Sequence, residues 1–302
     1  MKTVNDEMGR MAEEITERIR RFLPSQKGYQ KTVEEAMTYS VLNGGKRVRP
    51  ILMLLTYRAF GGPAAEETSL VDPFLAAIEM IHSYSLVHDD LPAMDNDRFR
   101  RGKLTTHAKY GHAMGILAGD GLLNKAFETA LSAEETEHTR GRVIPALRIL
   151  AEKAGVYGMV GGQSVDVEKT GEPMSADELD FVYRLKTGAL LEASMQVGAV
   201  LAGASPEAVK EMGEIAMRVG LAFQIQDDIL DIAGTTESLG KSVGSDEKNN
   251  KTTYVTLYGM RASKEAVENL SAEALTMLAK YPGGMRDKPL AELIASLVGR
   301  TV

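Results

Sequence analysis

The 302-residue sequence has no cysteine, no tryptophan and only 6% aromatic residues, and nowhere does it alternate strictly between apolar and polar side chains. Each absence removes a class of protein. Without cysteine there is no disulfide framework, no thiolate nucleophile and no cysteine-ligated zinc or iron–sulfur cluster, which agrees with a reducing cytoplasm. Without alternation there is no half-buried strand from which to build a sheet. The amino terminus lacks an uninterrupted apolar segment, and Asp6, Glu7, Glu13 and Glu14 argue against a transit peptide. The best candidate for a membrane span, 188–204, is interrupted by Glu192, Ser194 and Gln196. It falls short of the roughly 20 apolar residues that a span needs. Excess positive charge is also missing: 35 Lys and Arg face 42 Asp and Glu, a net charge of −7. Nucleic acid and anionic membrane surfaces are therefore not expected partners, and an anionic ligand would require local cation clusters or a metal.

What is present is helical periodicity. Val4, Met8, Met11, Ile15, Ile19 and Phe22 recur at gaps of three and four until Pro24 stops them. Similar patterns predict helices over about 31–43, 48–60, 70–90, 110–132, 142–157, 176–204, 206–233, 263–281 and 287–299. With 16 Met filling in for aromatics, the expected core is helix packed on helix. Two polar stretches, 91–107 and 234–253, are longer than ordinary helix connections and partly basic. Loops of that length inside a compact protein are usually functional or disordered. The length admits one domain or two, and with no break in composition one all-α domain over 1–302 is the simpler reading.

Two aspartate groups carry the chemical signal. Asp89, Asp90, Asp95 and Asp97 gather where a strongly apolar helix ends, and the helix macrodipole disfavours negative charge at that end. Such carboxylates suit a hard divalent cation shared with substrate phosphates; the alternative is a solvated acidic helix end. On a regular helix Asp89 and Asp95 would point about 120° apart, but Pro92 gives the backbone a reason to bend and bring Asp95 round. Asp227, Asp228 and Asp231 form the second group, on one helix face with Gln224 a turn earlier. Cations sit beside each: Arg98, Arg100, Arg101 and Lys103 follow the first, and Lys241, Lys248 and Lys251 follow the second. A third basic segment, Gly44-Gly45-Lys46-Arg47-Val48-Arg49-Pro50, lies between two helices. Glycine there permits close approach and Arg can grip a phosphate bidentately, although a glycine helix cap accounts for Gly44 and Gly45 alone. His82, two turns before Asp89, is either a satisfied core residue or a donor to phosphate.

Taken together, GGKRVRP at 44–50, IHSYSLVHDDLPAMDND at 81–97, RRGK at 100–103, GMVGGQSVD at 158–166, KTG at 186–188, GLAFQIQDDILDIAG at 220–234, GK at 240–241 and KTTY at 251–254 resemble the trans-isoprenyl diphosphate synthases. The resemblance spans nearly the whole chain and is strongest to the bacterial farnesyl diphosphate synthase (geranyltranstransferase) branch. It implies a helical bundle around a central cavity, the isoprenoid synthase fold, with both aspartate groups at the cavity mouth. It also implies a cytoplasmic homodimer. Three Mg²⁺ ions, replaceable by Mn²⁺, would bridge Asp89, Asp95, Asp227 and Asp231 to the diphosphate of an allylic substrate. Arg100, Lys186 and Lys241 would hold that diphosphate, with Lys251 nearby, while Gly45, Lys46, Arg49, His82 and Arg101 would hold isopentenyl diphosphate. Thr187 and Gln224 would direct oxygen dipoles at the allylic cation. Tyr84, five positions before the first aspartate, would floor the cavity and limit product length, although the helical wheel places Ser85 nearer the face of Asp89.

The same residues leave other readings open. A geranylgeranyl diphosphate synthase performs one more condensation by the same chemistry. A non-catalytic subunit would keep the fold but lose an aspartate group, and both groups are intact. A terpene cyclase has no use for a second diphosphate site. Leu104 stands where the family usually has proline, Asn96 replaces a common aspartate, and the carboxyl terminus lacks the usual basic ending; none of these removes an expected metal ligand.

Overall fold

The computed structural model describes residues 2–233, 251–281 and 288–298. It is all-α apart from one two-residue hairpin, and its parts group into two compact units. The first comprises Met1–Leu54 and Gly62–Leu147, and the second Leu55–Gly61 and Arg148–Val302.

In the first unit α1 (Lys2–Arg20), α2 (Lys31–Leu42) and the start of α3 (Val48–Ala59) precede α4 (Asp72–Asp89). A 3₁₀ turn (Ala64–Glu66) and a π-helical turn (Glu67–Val71) lead into α4, and Pro73 sits at its first turn, where a missing N–H costs nothing. Helix α4 is the spine of this unit, buried continuously from Asp72 to Ile81. The stretch Ala64–Asp89 is long and apolar enough to cross a membrane, yet 83% of its window is buried by the protein itself, which makes it a core helix. The segment 188–204, weighed as a span from the sequence, lies mostly in a second buried helix.

Beyond α4 the polar stretch 91–107 holds a hairpin, β1 (Phe99–Arg100) paired antiparallel with β2 (Lys103–Leu104). Periodicity predicts no strand here, because two residues are too few to show a period. Helices α5 (Thr106–Tyr110) and α6 (His112–Leu131) follow. The buried small residues of α6, Gly115, Ala118 and Gly119, let it lie close against α4: a Cβ added at Gly119 would collide with the His88 ring.

The second unit contains α7 (Val143–Ala154) from Arg148 onward, then α8 (Met159–Glu168) and α9 (Ala176–Val182). A π-helical turn (Tyr183–Gly188) leads into α10 (Ala189–Ala202), followed by α11 (Pro206–Ala233), α12 (Tyr254–Tyr258), α13 (Met260–Leu278) and α14 (Lys288–Val298). The sequence reads 176–204 as a single helix; the π turn inside it is invisible to a 3.6-residue period. Capping boxes start α9 (Ser175 with Glu178) and α12 (Thr253 with Thr256), each satisfying otherwise orphaned N–H groups. Leu179, Val182, Tyr183, Ala222, Ile225, Ile229, Val255 and Val267 form one buried cluster, which fixes the π turn against α11, α12 and α13.

Candidate active site

In the first unit the chain reverses immediately after α4. The Asp95 amide donates to the Asp89 carbonyl at 2.9 Å, and the Met94 and Asn96 amides both donate to the Leu91 carbonyl. Asn96 takes a left-handed φ of 55°, which asparagine tolerates better than most residues. The bend expected at Pro92 is therefore present, and it returns Asp95 to the end of the helix that carries Asp89. Asp90 turns elsewhere: its buried carboxylate accepts from Arg100 Nε at 2.7 Å and lies 2.6 Å from the same residue's Nη2. Arg100 is thus held on the hairpin by Asp90, with Asp97 3.8 Å away.

The cations of 44–50 divide into two roles. Arg47, only 4% exposed, donates to Glu79 at 2.5 Å, to the Val41 carbonyl at 2.8 Å and to Thr16 at 3.1 Å. It ties α1, α2 and α4 together, so of the three cations in that segment it is the structural one. Lys46 is exposed. Arg49 is half-buried, its Nε is buried without a hydrogen-bond partner, and burial followed by Arg101 lowers its pKa to about 10 against the pull of Glu79. Arg101 reaches across to donate to the Gly44 carbonyl at 2.5 Å, and a Cβ on Gly45 would lie 2.6 Å from Arg101 Nη1. Gly45 also has φ +120°, a backbone conformation that L side chains rarely adopt, so glycine is required there. His82 feels all of these charges: burial, then Arg49, Arg101, Arg100 and Arg47, hold its pKa well below the imidazole value. It is neutral at pH 7 and able to donate one hydrogen bond.

Tyr84 is buried, 6% exposed, and meets His88 edge-on with ring centroids 5.8 Å apart. Burial and then the charge of Asp89 push its phenol up to about 12. Ser85 donates to the His82 carbonyl of its own helix at 2.9 Å, so its hydroxyl is turned along the backbone.

In the second unit the π turn presents Lys186 and Thr187. Such turns insert a residue into the helical ladder and re-aim the side chains that follow. Glycines on the packing helices permit this arrangement. A Cβ at Gly162 would collide with the Lys186 backbone nitrogen, and one at Gly220 would fall 3.0 Å from Gly188 Cα. One turn beyond Gly220, Gln224 Oε1 accepts from the Thr187 hydroxyl at 3.0 Å. Of the α11 aspartates, Asp228 is buried and occupied structurally, accepting from the Tyr183 hydroxyl at 2.6 Å and from the Tyr254 amide at 2.8 Å. Asp227 is half-buried and Asp231 is 1% exposed. Lys186 and Lys251 both reach Asp166, the last residue of the GMVGGQSVD segment, to which the sequence assigns no role. Lys241 lies outside the described residues, as does most of the polar stretch 234–253.

The donor chemistry fits a hard cation: the candidate ligands are carboxylates throughout. Among the described residues, no three Asp, Glu or His side chains converge as a closed metal cage. Carboxylate oxygens are the ligands that Mg²⁺ prefers, and it commonly shares them with substrate phosphates.

A family model described as polyprenyl synthetase matches residues 30–280. The farnesyl diphosphate synthase of Geobacillus stearothermophilus is 48% identical over 238 residues, 77% of each chain. A chloroplastic geranylgeranyl pyrophosphate synthase of Capsicum annuum is 42% identical over 264 residues, 87% of this chain and 69% of the relative. A crystal structure of a Helicobacter pylori geranyltransferase, solved with magnesium and isoprenyl diphosphate, superposes with a TM-score of 0.82. It is 30% identical and covers 97% of this chain and 96% of its own.

Proposed function

We propose that this chain, which belongs to the polyprenyl synthetase family and has its all-α isoprenoid synthase fold, is a short-chain prenyltransferase that makes farnesyl diphosphate. It would condense dimethylallyl and then geranyl diphosphate with isopentenyl diphosphate, releasing pyrophosphate at each step. The observation that carries this reading is the placing of Arg49 and Arg101 beside a neutral His82, with the Arg49 Nε buried and unpartnered. Cations held so close destabilise one another until an anion of high charge enters. Isopentenyl diphosphate fits, held by Lys46, Arg49, Arg101 and a hydrogen bond from His82 while Gly45 leaves Arg101 its room.

The allylic diphosphate belongs with Lys186, Lys251 and Arg100, and with Lys241. Asp89, Asp95, Asp227 and Asp231 would hold Mg²⁺ ions, three by family resemblance. Bound there, Mg²⁺ would neutralise the diphosphate so that it can leave as pyrophosphate. Loss of pyrophosphate breaks the allylic carbon–oxygen bond. The double bond of isopentenyl diphosphate then attacks the cation, and a proton leaves to the departing pyrophosphate. Thr187 donates its proton to Gln224, which turns the lone pairs of the Thr187 oxygen outward, where they can face a cation. We also place the protein in the cytoplasm as a homodimer. The exposed face of α6, with Ile116, Leu117 and Leu131 about half exposed, supports the pairing. The reading is tested by pyrophosphate release from geranyl diphosphate. Release should require isopentenyl diphosphate and stop on chelation of divalent cations; release that continues in excess chelator contradicts it.

Product length is assigned to Tyr84. Its ring is buried one and a half turns before Asp89 and senses that carboxylate, whereas the Ser85 hydroxyl is engaged along its own helix. Each further five-carbon unit gains roughly 4 kcal/mol if fully buried, so only a steric floor stops elongation. Tyr84→Ala is expected to shift the main product from fifteen to twenty carbons or more, as read by chromatography. An unchanged distribution would move the floor to Ser85. The similarity to a geranylgeranyl pyrophosphate synthase makes a twenty-carbon product the second reading for the unaltered chain.

A further inference from the structure

Asp166 lies near the end of α8, and its two oxygens take different lysines from two other parts of the chain. Oδ2 is 2.6 Å from Nζ of Lys186, on the π turn, and Oδ1 is 3.4 Å from Nζ of Lys251, just before α12. The carboxylate is 12% exposed, while the lysines are 29% and 42% exposed. Burial alone would raise the Asp166 pKa, but Lys186 and then Lys251 outweigh it and hold the carboxyl below its ordinary value. Asp166 is therefore an anion throughout the neutral range. Gly162, one turn earlier on the same face of α8, is the residue whose missing Cβ admits the Lys186 backbone. A single helix face thus sets both the backbone and the ammonium of Lys186, and its carboxylate draws Lys251 to the same place.

We propose that Asp166 is a positioning residue that gathers Lys186 and Lys251 into one bidentate site for the allylic diphosphate. Two ammonium groups brought to one place repel each other. A shared carboxylate offsets that repulsion with one oxygen for each. Each ammonium carries three N–H donors, of which the carboxylate uses one. Asp166 touches no reacting atom; it acts through the lysines. The inference rests on the proposed function, because it takes these lysines to bind the diphosphate.

The test uses Asp166→Asn, which keeps the shape and removes the charge, and Asp166→Glu, which keeps the charge and displaces it. In Asp166→Asn the KM for geranyl diphosphate should rise about tenfold or more, while the KM for isopentenyl diphosphate stays within about twofold, because only one substrate depends on the lysine pair. Asp166→Glu should recover part of the loss. Combining Asp166→Asn with Lys251→Met should cost less than the product of the two single effects, since both disable one pair. A structural role alone would raise both KM values together or give independent effects, and either result overturns the proposal. Calorimetric binding of pyrophosphate to the unaltered protein and to Asp166→Asn separates the two claims. If the unaltered protein performs no condensation, the functional reading fails. Tighter or equal pyrophosphate binding by Asp166→Asn, with or without turnover, overturns the positioning role.

Discussion

Replacing Asp89 with asparagine is expected to lower kcat about a thousandfold, roughly 4 kcal/mol of lost transition-state stabilisation, with little change in stability. The two effects have different origins. Asp89 is the last residue of α4, where the carbonyl ends of the helix make a negative side chain unfavourable by about 0.3–1 kcal/mol. Asparagine removes that charge and, with it, the attraction of Asp89 for Arg100; the two effects oppose, so the melting temperature should change little. Activity depends on the carboxylate for the opposite reason. Asp95 is returned to the end of α4 by its amide bond to the Asp89 carbonyl, which places a second carboxyl-bearing residue beside the first. Losing one of the two removes the charge that a cation there requires. Steady-state rates and a thermal melt, taken on the same preparation, check both halves. A variant that keeps more than about a tenth of the rate would remove Asp89 from the machinery.

The second large effect is expected at Arg49. Burial is the largest penalty on its guanidinium, offset in part by Glu79, which is itself bonded to Arg47 at 2.5 Å; Arg101 repels it, and its Nε finds no partner. Arg49→Met should therefore stabilise the protein by about 1 kcal/mol, or about 2 °C in Tm for a chain of this size. The same change should raise the KM for isopentenyl diphosphate about a hundredfold, because a charge-assisted contact to a diphosphate is lost from a partly buried position. The His82 imidazole supplies an internal check. Arg49 is the largest electrostatic cause of its lowered pKa, so in the variant His82 should titrate at higher pH by NMR. A loss of stability together with an unchanged KM would show that Arg49 serves the fold.

Both positions belong to a pattern that bears on how much a sequence reveals. Residues whose local chemistry is unfavourable stand out: aspartates at a helix carboxyl end, stacked aspartates on α11, and cations next to paired glycines. The helices are equally plain, because a stripe of Ile, Leu, Val and Met at gaps of three and four forms a continuous apolar face only when the chain is helical. What cannot be read locally depends on partners far along the chain. Arg47 and Arg49 look interchangeable in GGKRVRP, and it is the hydrogen bonds of Arg47 to Glu79, 32 positions away, to Thr16 and to the Val41 carbonyl that absorb it into the core. Asp228 looks like one more metal ligand until Tyr183, 45 positions away, takes it. Asp166 lies inside a segment that the resemblance marks, but its role comes from lysines that share no helix with it. The hairpin at 99–104 and the π turn at 183–188 escape a periodicity reading because each is shorter than the window that would betray it.

The central claim is that the cation clusters and the two aspartate groups serve one reaction, the head-to-tail joining of two diphosphate substrates. The most direct measurement is a single incubation of the purified protein with dimethylallyl diphosphate, labelled isopentenyl diphosphate and Mg²⁺, with the products dephosphorylated and separated by chain length. A dominant fifteen-carbon alcohol is the predicted result. A dominant twenty-carbon product would contradict the assigned chain length, and no incorporation of label would contradict the claim itself.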